Sequence, residues 1–483
     1  MDLKWATISS LIWKLLERGG SSIVSLIIQI ILARLLAPED FGALAIILVF
    51  INIGNIIVQS GMNTSLIQSK EVKRLDFSTV FWLALGISII IYIFIFTIAP
   101  LVAEFYSNSR LIWGVRILAF VLIVNAFISV QVAIITREFQ LKKVFFASLL
   151  SVILSGFIGV VLAFGGFGLW SLIVQQLVAQ IVNAVVLCMQ TKWIPFLEFD
   201  AKLARKHFKY GWKLLASGLL ETGYQSFSDL LIGRQFSISQ LGLVSQGKKY
   251  PQAIGSMLDG AIQPVMLSAF SRLQNNVSAV KELVRRALKT SAFLVMPAMG
   301  IFALIADPLV AILLGSQWTA CVPFMQMYCV IYALLPIHTT NLQALNGLGR
   351  SDLFLKLELI KKSYGIVILC IAAFVFQNIY AIVFGYIVAD IIGTFVNAFP
   401  NRRIINYSYR EQIRDIMPIL GVTLVSLATA FPICFLNLPD PITIILQVAI
   451  VGIVFLALAW IFRLDSLTYI VSTLKEFRQM MKR

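Results

Sequence analysis

Lys248 and Lys249 stand side by side about eight residues into an apolar run, roughly 12 Å along a helix rising 1.5 Å per residue. That is near the middle of a membrane and too deep for easy snorkelling. Lys14, Arg18 and Lys213 lie nearer one end of their own runs, within one or two turns of the surface. Buried cations of this kind suit an anion: arginine grips phosphate with its planar fork, lysine with a compact charge. Amides and hydroxyls recur beside them at helical spacing. Gln29 follows Lys14 and Arg18 at steps of three and four through Ser22 and Ser25, and Asn52, Asn55, Gln59 and Asn63 form a second stripe. Lys213, Glu221, Gln225 and Asp229 mark a third, with Ser217 between. Lys249, Gln252, Ser256, Asp259 and Gln263 mark a fourth. A charged group facing lipid at the bilayer centre costs about 2.5–3.5 kcal/mol on insertion scales. The stripes must therefore face protein or water. Hydrogen bonding between helices is the plain alternative for the uncharged members, but charged stripes point to a wet cavity. Its cations suit phosphate or diphosphate, and its amides and hydroxyls suit sugars. Glu221, Asp229, Asp259 and the isolated Asp390 are candidates for carrying a coupling proton or sodium ion, or for pairing with the lysines.

Other chemistry is sparse. The two histidines, His207 and His338, fall in different regions, and the five cysteines show no metal-ligand spacing. No catalytic residues, metal or cofactor are expected.

The elements that carry the stripes are membrane helices. Of 483 residues, 59% are hydrophobic and 13% charged, against about 25% charged in soluble domains. Continuous apolar runs of about 20 residues match a hydrocarbon core of about 30 Å, and they do not alternate as barrel strands do. The expected fold is an all-α integral membrane protein of about fourteen spans: 10–34, 41–67, 78–102, 111–135, 144–164, 168–190, 211–233, 240–268, 288–306, 319–345, 355–375, 378–399, 416–436 and 441–462. The net charge of +16 follows the topology. Alternate connections hold 30 of the lysines and arginines and the opposite ones only Arg34, Arg110 and Arg234, which places both termini in the cytoplasm. A nucleic-acid partner is not needed to explain the charge. Lys14, Glu17 and Arg18 break the first run where a signal peptide needs an apolar core.

The chain also repeats itself. Trp13-Lys14-Leu15-Leu16 returns as Trp212-Lys213-Leu214-Leu215; then Arg34 matches Arg234, Gly42 matches Gly242, Asn52 Gln252, Gln59 Asp259 and Asn63 Gln263. Six spans separate the copies, so both enter the membrane from the same side, as a parallel repeat does. This predicts a lobe over 1–190, a cytoplasmic linker over 191–210, a pseudo-twofold related six-helix lobe over 211–400, and two added helices with a tail over 401–483. The arrangement is that of a transporter. Outward connections are short, unlike those of membrane glycosyltransferases and polymerases, which hold catalytic groups on large external loops.

Several turns resemble a known family. Ala33-Arg34-Leu35-Leu36-Ala37-Pro38-Glu39-Asp40-Phe41-Gly42, Thr136-Arg137-Glu138-Phe139-Gln140-Leu141-Lys142, Ser271-Arg272-Leu273-Gln274, Leu314-Gly315-Ser316-Gln317-Trp318 and Ala344-Leu345-Asn346-Gly347-Leu348-Gly349-Arg350 are similar to turns of the polysaccharide-transporter branch of the multidrug/oligosaccharidyl-lipid/polysaccharide exporter superfamily. The resemblance implies a monomeric, non-enzymatic flippase working by alternating access in a bacterial inner membrane. It implies an undecaprenyl-diphosphate-linked oligosaccharide as substrate, membrane lipids around it, and glycan polymerase and chain-length machinery as partners. Basic residues of the first, second, seventh and eighth helices would receive the diphosphate, here Lys14, Arg18, Lys248 and Lys249. The second span departs from that pattern, having amides and no cation. An ion-coupled drug exporter of the same superfamily is the alternative, but it would favour an acidic, aromatic cavity.

Overall fold

The computed structural model describes residues 20–59, 61–69, 71–272, 276–436 and 438–472. The described residues are helical throughout, with no strand among them. In order the helices are α1 (Gly20–Leu35), α2 (Pro38–Gln59), α3 (Met62–Gln68), α4 (Arg74–Phe105), α5 (Arg110–Ala119), α6 (Val121–Arg137), α7 (Leu141–Phe164), α8 (Leu169–Thr191), α9 (Ala201–Gln235), α10 (Ile238–Arg272), α11 (Val277–Leu304), α12 (Ala306–Leu313), α13 (Val322–Ala333), α14 (Leu335–Gly347), α15 (Ser351–Phe374), α16 (Ile379–Ile404), α17 (Tyr409–Ala430) and α18 (Asp440–Ile461). A last helical stretch covers 465–472.

Ten helical rods among the described residues are long and apolar enough to cross a membrane. α1 is shorter, and α9, α10 and α15 hold more polar and charged residues. α9 and α10 are two of the helices that carry the sequence's polar stripes, so polarity is what sets them apart. Large apolar side chains face outward in register: Ile23 and Ile27 are each 54% exposed on α1, while Leu32 and Ala33 on its other side are fully buried. An apolar exterior over a packed interior is what lipid as a solvent selects.

Contacts divide the chain into two compact units, 1–245 and 246–483. In the first, α2 is central and packs on α4, α5, α6, α8 and α9. Small residues let backbones close: a Cβ on Gly61 would lie 2.7 Å from Gly211 O, and one on Gly218 would lie 3.1 Å from Ile56. Gly61 has φ 64° and breaks the second expected span into α2 and α3. The matched pair Gly42 and Gly242 meet at a crossing of α2 with the start of α10. A Cβ on Gly42 would fall 1.8 Å from Ile238 O, and one on Gly242 would fall 1.9 Å from Pro38 O. Only glycine fits on either side.

In the second unit α11 carries two stripes. Val280, Val284, Leu288 and Ala292 are fully buried at steps of four and join Phe293, Ile416 and Phe455 in the core. One residue on, Lys281, Arg285 and Lys289 form an ionic ladder with Glu411 (2.8 Å), Asp415 (2.6 Å) and Asp465 (2.8 Å). Asp415 is only 3% exposed and also accepts from Tyr407 Oη at 2.8 Å.

Candidate functional site

Lys14 and Arg18 lie outside the described residues, as do the side chains of Lys213, Asp259 and Gln263. Lys248 and Lys249 lie on α10, which runs unbroken through Pro251. Gly247 and Gly255 press α10 against α13: a Cβ on either would come within 2.9 Å of Phe324 or Tyr332. Lys249, Gln252 and Ser256, at steps of three and four, turn away from that seam, and Gln252 and Ser256 are exposed. Both lysines are half-buried, and among the described residues neither has an acidic partner or a side-chain hydrogen bond. A desolvated ammonium without a counter-charge is costly, and an anionic ligand removes that cost.

In the first unit Asn52 and Gln59 are exposed on α2 and Asn55 is half-buried. Asn55 Oδ1 accepts from Asn125 Nδ2 of α6 at 2.7 Å, so this member of the stripe does join helices, and Asn125 was not anticipated. The stripe ends sooner than the spacing predicted. The left-handed Gly61 places Asn63, half-buried, on the separate helix α3. On α9, Gln225 Nε2 donates to Glu221 Oε1 at 2.7 Å; Gln225 is exposed and Asp229 half-buried. Gln29 on α1 is half-buried, with Oε1 lacking a hydrogen-bond partner.

Asp390 is not alone, as the sequence suggested. It lies on α16 with its Oδ2 3.2 Å from His338 Nε2 of α14. Nor does the separation of the histidines along the chain keep them from carboxylates. His207, fully buried at the start of α9, has Nε2 3.1 Å from Asp76 Oδ1 and Nδ1 2.8 Å from Ser65 Oγ. This serine–histidine–aspartate trio is sealed, with Ser65 6% and Asp76 5% exposed, so no substrate reaches it. Its work is mechanical: it clamps the basic segment before the seventh span onto α3 and α4, aided by a hydrogen bond from Tyr210 Oη to Gln68. Among the described residues no cluster of acids, cysteines and histidines is able to hold a metal.

These features define the class first: a multi-pass, all-α membrane protein whose polar groups line helix faces rather than a reaction centre. A sequence profile of the family described as "Polysaccharide biosynthesis protein" matches residues 31–323, and the chain belongs to that family. The chain is 24% identical over 341 residues to the succinoglycan biosynthesis transport protein ExoT of Rhizobium meliloti (strain 1021), covering 70% of this chain and 68% of that protein. It is 22% identical over 420 residues to the lipopolysaccharide biosynthesis protein WzxC of Escherichia coli (strain K12), covering 86% and 84%. In fold it is similar to the lipid II flippase MurJ in an inward closed conformation, with TM-score 0.76, 15% identity, and 95% and 99% of the two chains covered. It is also similar to an inward-facing multidrug resistance MATE family transporter, with TM-score 0.59, 16% identity, and 80% and 96% covered.

Proposed function

We propose that the chain is a flippase for polyprenyl-diphosphate-linked oligosaccharides, carrying them across the bacterial inner membrane by alternating access for lipopolysaccharide, capsule or exopolysaccharide synthesis. The observation that carries the reading is the adjacent pair Lys248 and Lys249, half-buried in a helix and without counter-charges among the described residues. A diphosphate supplies those counter-charges, while exposed Gln252 and Ser256 on the same helix offer hydrogen bonds to sugar hydroxyls. Family membership and relatives named for glycan biosynthesis support the same reading. In it, Lys14, Arg18 and Lys213 complete the cationic wall, the repeated halves 1–190 and 211–400 rock about the linker, and both termini are cytoplasmic.

The test is a deletion strain. Lipid-linked oligosaccharide should accumulate, detected by mass spectrometry, while surface glycan falls, and the intact gene should reverse both. Ethidium efflux from expressing cells with no change in lipid-linked intermediates would instead favour drug export.

A further inference from the structure

Around Gly393 of α16, side chains from three helices converge in the second unit. A Cβ there would lie 3.1 Å from His338 Cε1 (α14), 3.3 Å from Tyr364 Oη and 3.6 Å from Lys361 Cδ (both α15). His338 is hydrogen-bonded at one ring nitrogen and faces a carboxylate with the other, which has no hydrogen-bond partner among the described residues. Its Nε2 lies 3.2 Å from Asp390 Oδ2, and its Nδ1 lies 2.8 Å from Asn397 Nδ2. Asn397 is fully buried, and its Oδ1 has no hydrogen-bond partner. The side chain of His338 is 13% exposed and that of Asp390 28%.

We propose that His338, Asp390 and Asn397 form a proton-binding site that the transport cycle loads and empties. With the imidazole neutral, Nδ1 accepts from the Asn397 amide and Nε2 carries its proton without a hydrogen-bond partner, 3.2 Å from Asp390 Oδ2. A proton from water then adds at Nδ1. Turning the Asn397 amide end for end presents the orphan Oδ1 to the new N–H, so one side chain partners Nδ1 in both states. Asp390, 3.2 Å from the ring, balances the imidazolium charge. A carboxamide serves both states in a way that a carbonyl or an ammonium cannot.

The neighbouring charged and polar groups are already engaged. On α15, Glu358 is bound by Lys361 (2.5 Å) and Lys362 (3.7 Å), and Tyr364 Oη donates to Ala389 O at 3.0 Å. From α13 Tyr332 faces Asp390, and from α17 Tyr409 bonds Thr394 Oγ1 at 2.9 Å. On α11, Lys281, Arg285 and Lys289 are committed to Glu411, Asp415 and Asp465. No cation other than a protonated His338 pairs with Asp390 among the described residues. The role in transport rests on the flippase reading; proton binding itself does not.

With two histidines in the chain, nitrogen-15 histidine labelling of the full-length protein in nanodiscs gives two sets of ring signals, and His338→Gln assigns them. The His338 signals should pass from neutral to imidazolium between about pH 5 and 9. Asp390→Asn should move the midpoint by about one pH unit or more, since about 1.4 kcal/mol of charge pairing corresponds to one unit. In cells, His338→Gln and Asp390→Asn should each cut glycan export at least tenfold at normal protein level. The proposal is overturned if His338 stays neutral over that range, if its midpoint ignores Asp390→Asn, or if both variants export as wild type. Failure of the flippase reading is separate: lipid-linked intermediates would then not accumulate in the deletion strain, whatever the histidine signals do.

Discussion

Alanine at Gly42 puts a methyl carbon 1.8 Å from Ile238 O, and alanine at Gly242 puts one 1.9 Å from Pro38 O. An ordinary contact begins near 3.4 Å, so the two backbones must part by about 1.5 Å. Neither obstacle is a side chain able to swing aside. Overpacking of this kind costs about 1–3 kcal/mol, and a gap of 0.5–1 Å already forfeits a quarter to a half of each dispersion contact along the crossing. Alanine returns about 0.5–1 kcal/mol through helix propensity, leaving a net loss of about 1–2 kcal/mol. For a unit of 245 residues that is a fall of about 2–8 °C in the melting midpoint, at 2–4 °C per kcal/mol. Once one methyl has separated the helices, the other has room, so Gly42→Ala/Gly242→Ala should cost clearly less than the sum of the singles. Gly86 on α4 is the control: a Cβ there meets nothing within 4 Å, so Gly86→Ala should be neutral or stabilising. Thermal unfolding of the purified protein in detergent reads all four. Singles that behave like Gly86→Ala, or a double variant equal to the sum, would refute the close crossing.

Arg285→Ala should cost about 1–2 kcal/mol: Asp415 is buried, but the guanidinium is half-exposed and screened by solvent, and Lys289 at 3.5 Å and Tyr407 still serve Asp415; the same unfolding assay measures it, and Lys281→Ala, opposite the more exposed Glu411, should cost under about 1 kcal/mol. His207→Ala strips Ser65 and Asp76 of a shared partner at about 1–3 kcal/mol, so hydrogen exchange over 201–210 should speed by about fivefold or more while that of α18 is unchanged. Asn125→Ala leaves Asn55 without its hydrogen bond to α6 and should lower the midpoint by a few degrees without changing surface glycan type.

How much of this was legible in the sequence varies with the physics involved. Helices and their lipid-facing sides follow from local apolar runs, and Gly42 and Gly242, matched by the repeat, prove to touch. The repeat made the pair visible, but only backbone coordinates show why both are glycine. The break at Gly61 was missed because a lone glycine inside an apolar run is tolerated by many helices. His338 and Asp390 are 52 positions apart, and His207 and Asp76 131 apart, with no spacing rule to join them. α14 packing on α16, and α9 on α3 and α4, brings them together. Asn125 was hidden for the same reason: a single asparagine in an apolar helix gives no hint of which neighbour it meets. Conversely, the lysines on α10 stand out in the sequence because their cost is local, set by depth along one helix.

In the proposed flippase, Lys248 and Lys249 hold the phosphate-bearing headgroup. The most direct test of that role is surface-glycan export by Lys248→Ala/Lys249→Ala in a deletion strain, with Lys248→Arg/Lys249→Arg alongside and both variants matched to wild type in membrane level. Export should drop at least tenfold in the alanine pair and recover substantially in the arginine pair, since charge is kept. Wild-type export by the alanine pair would contradict that role.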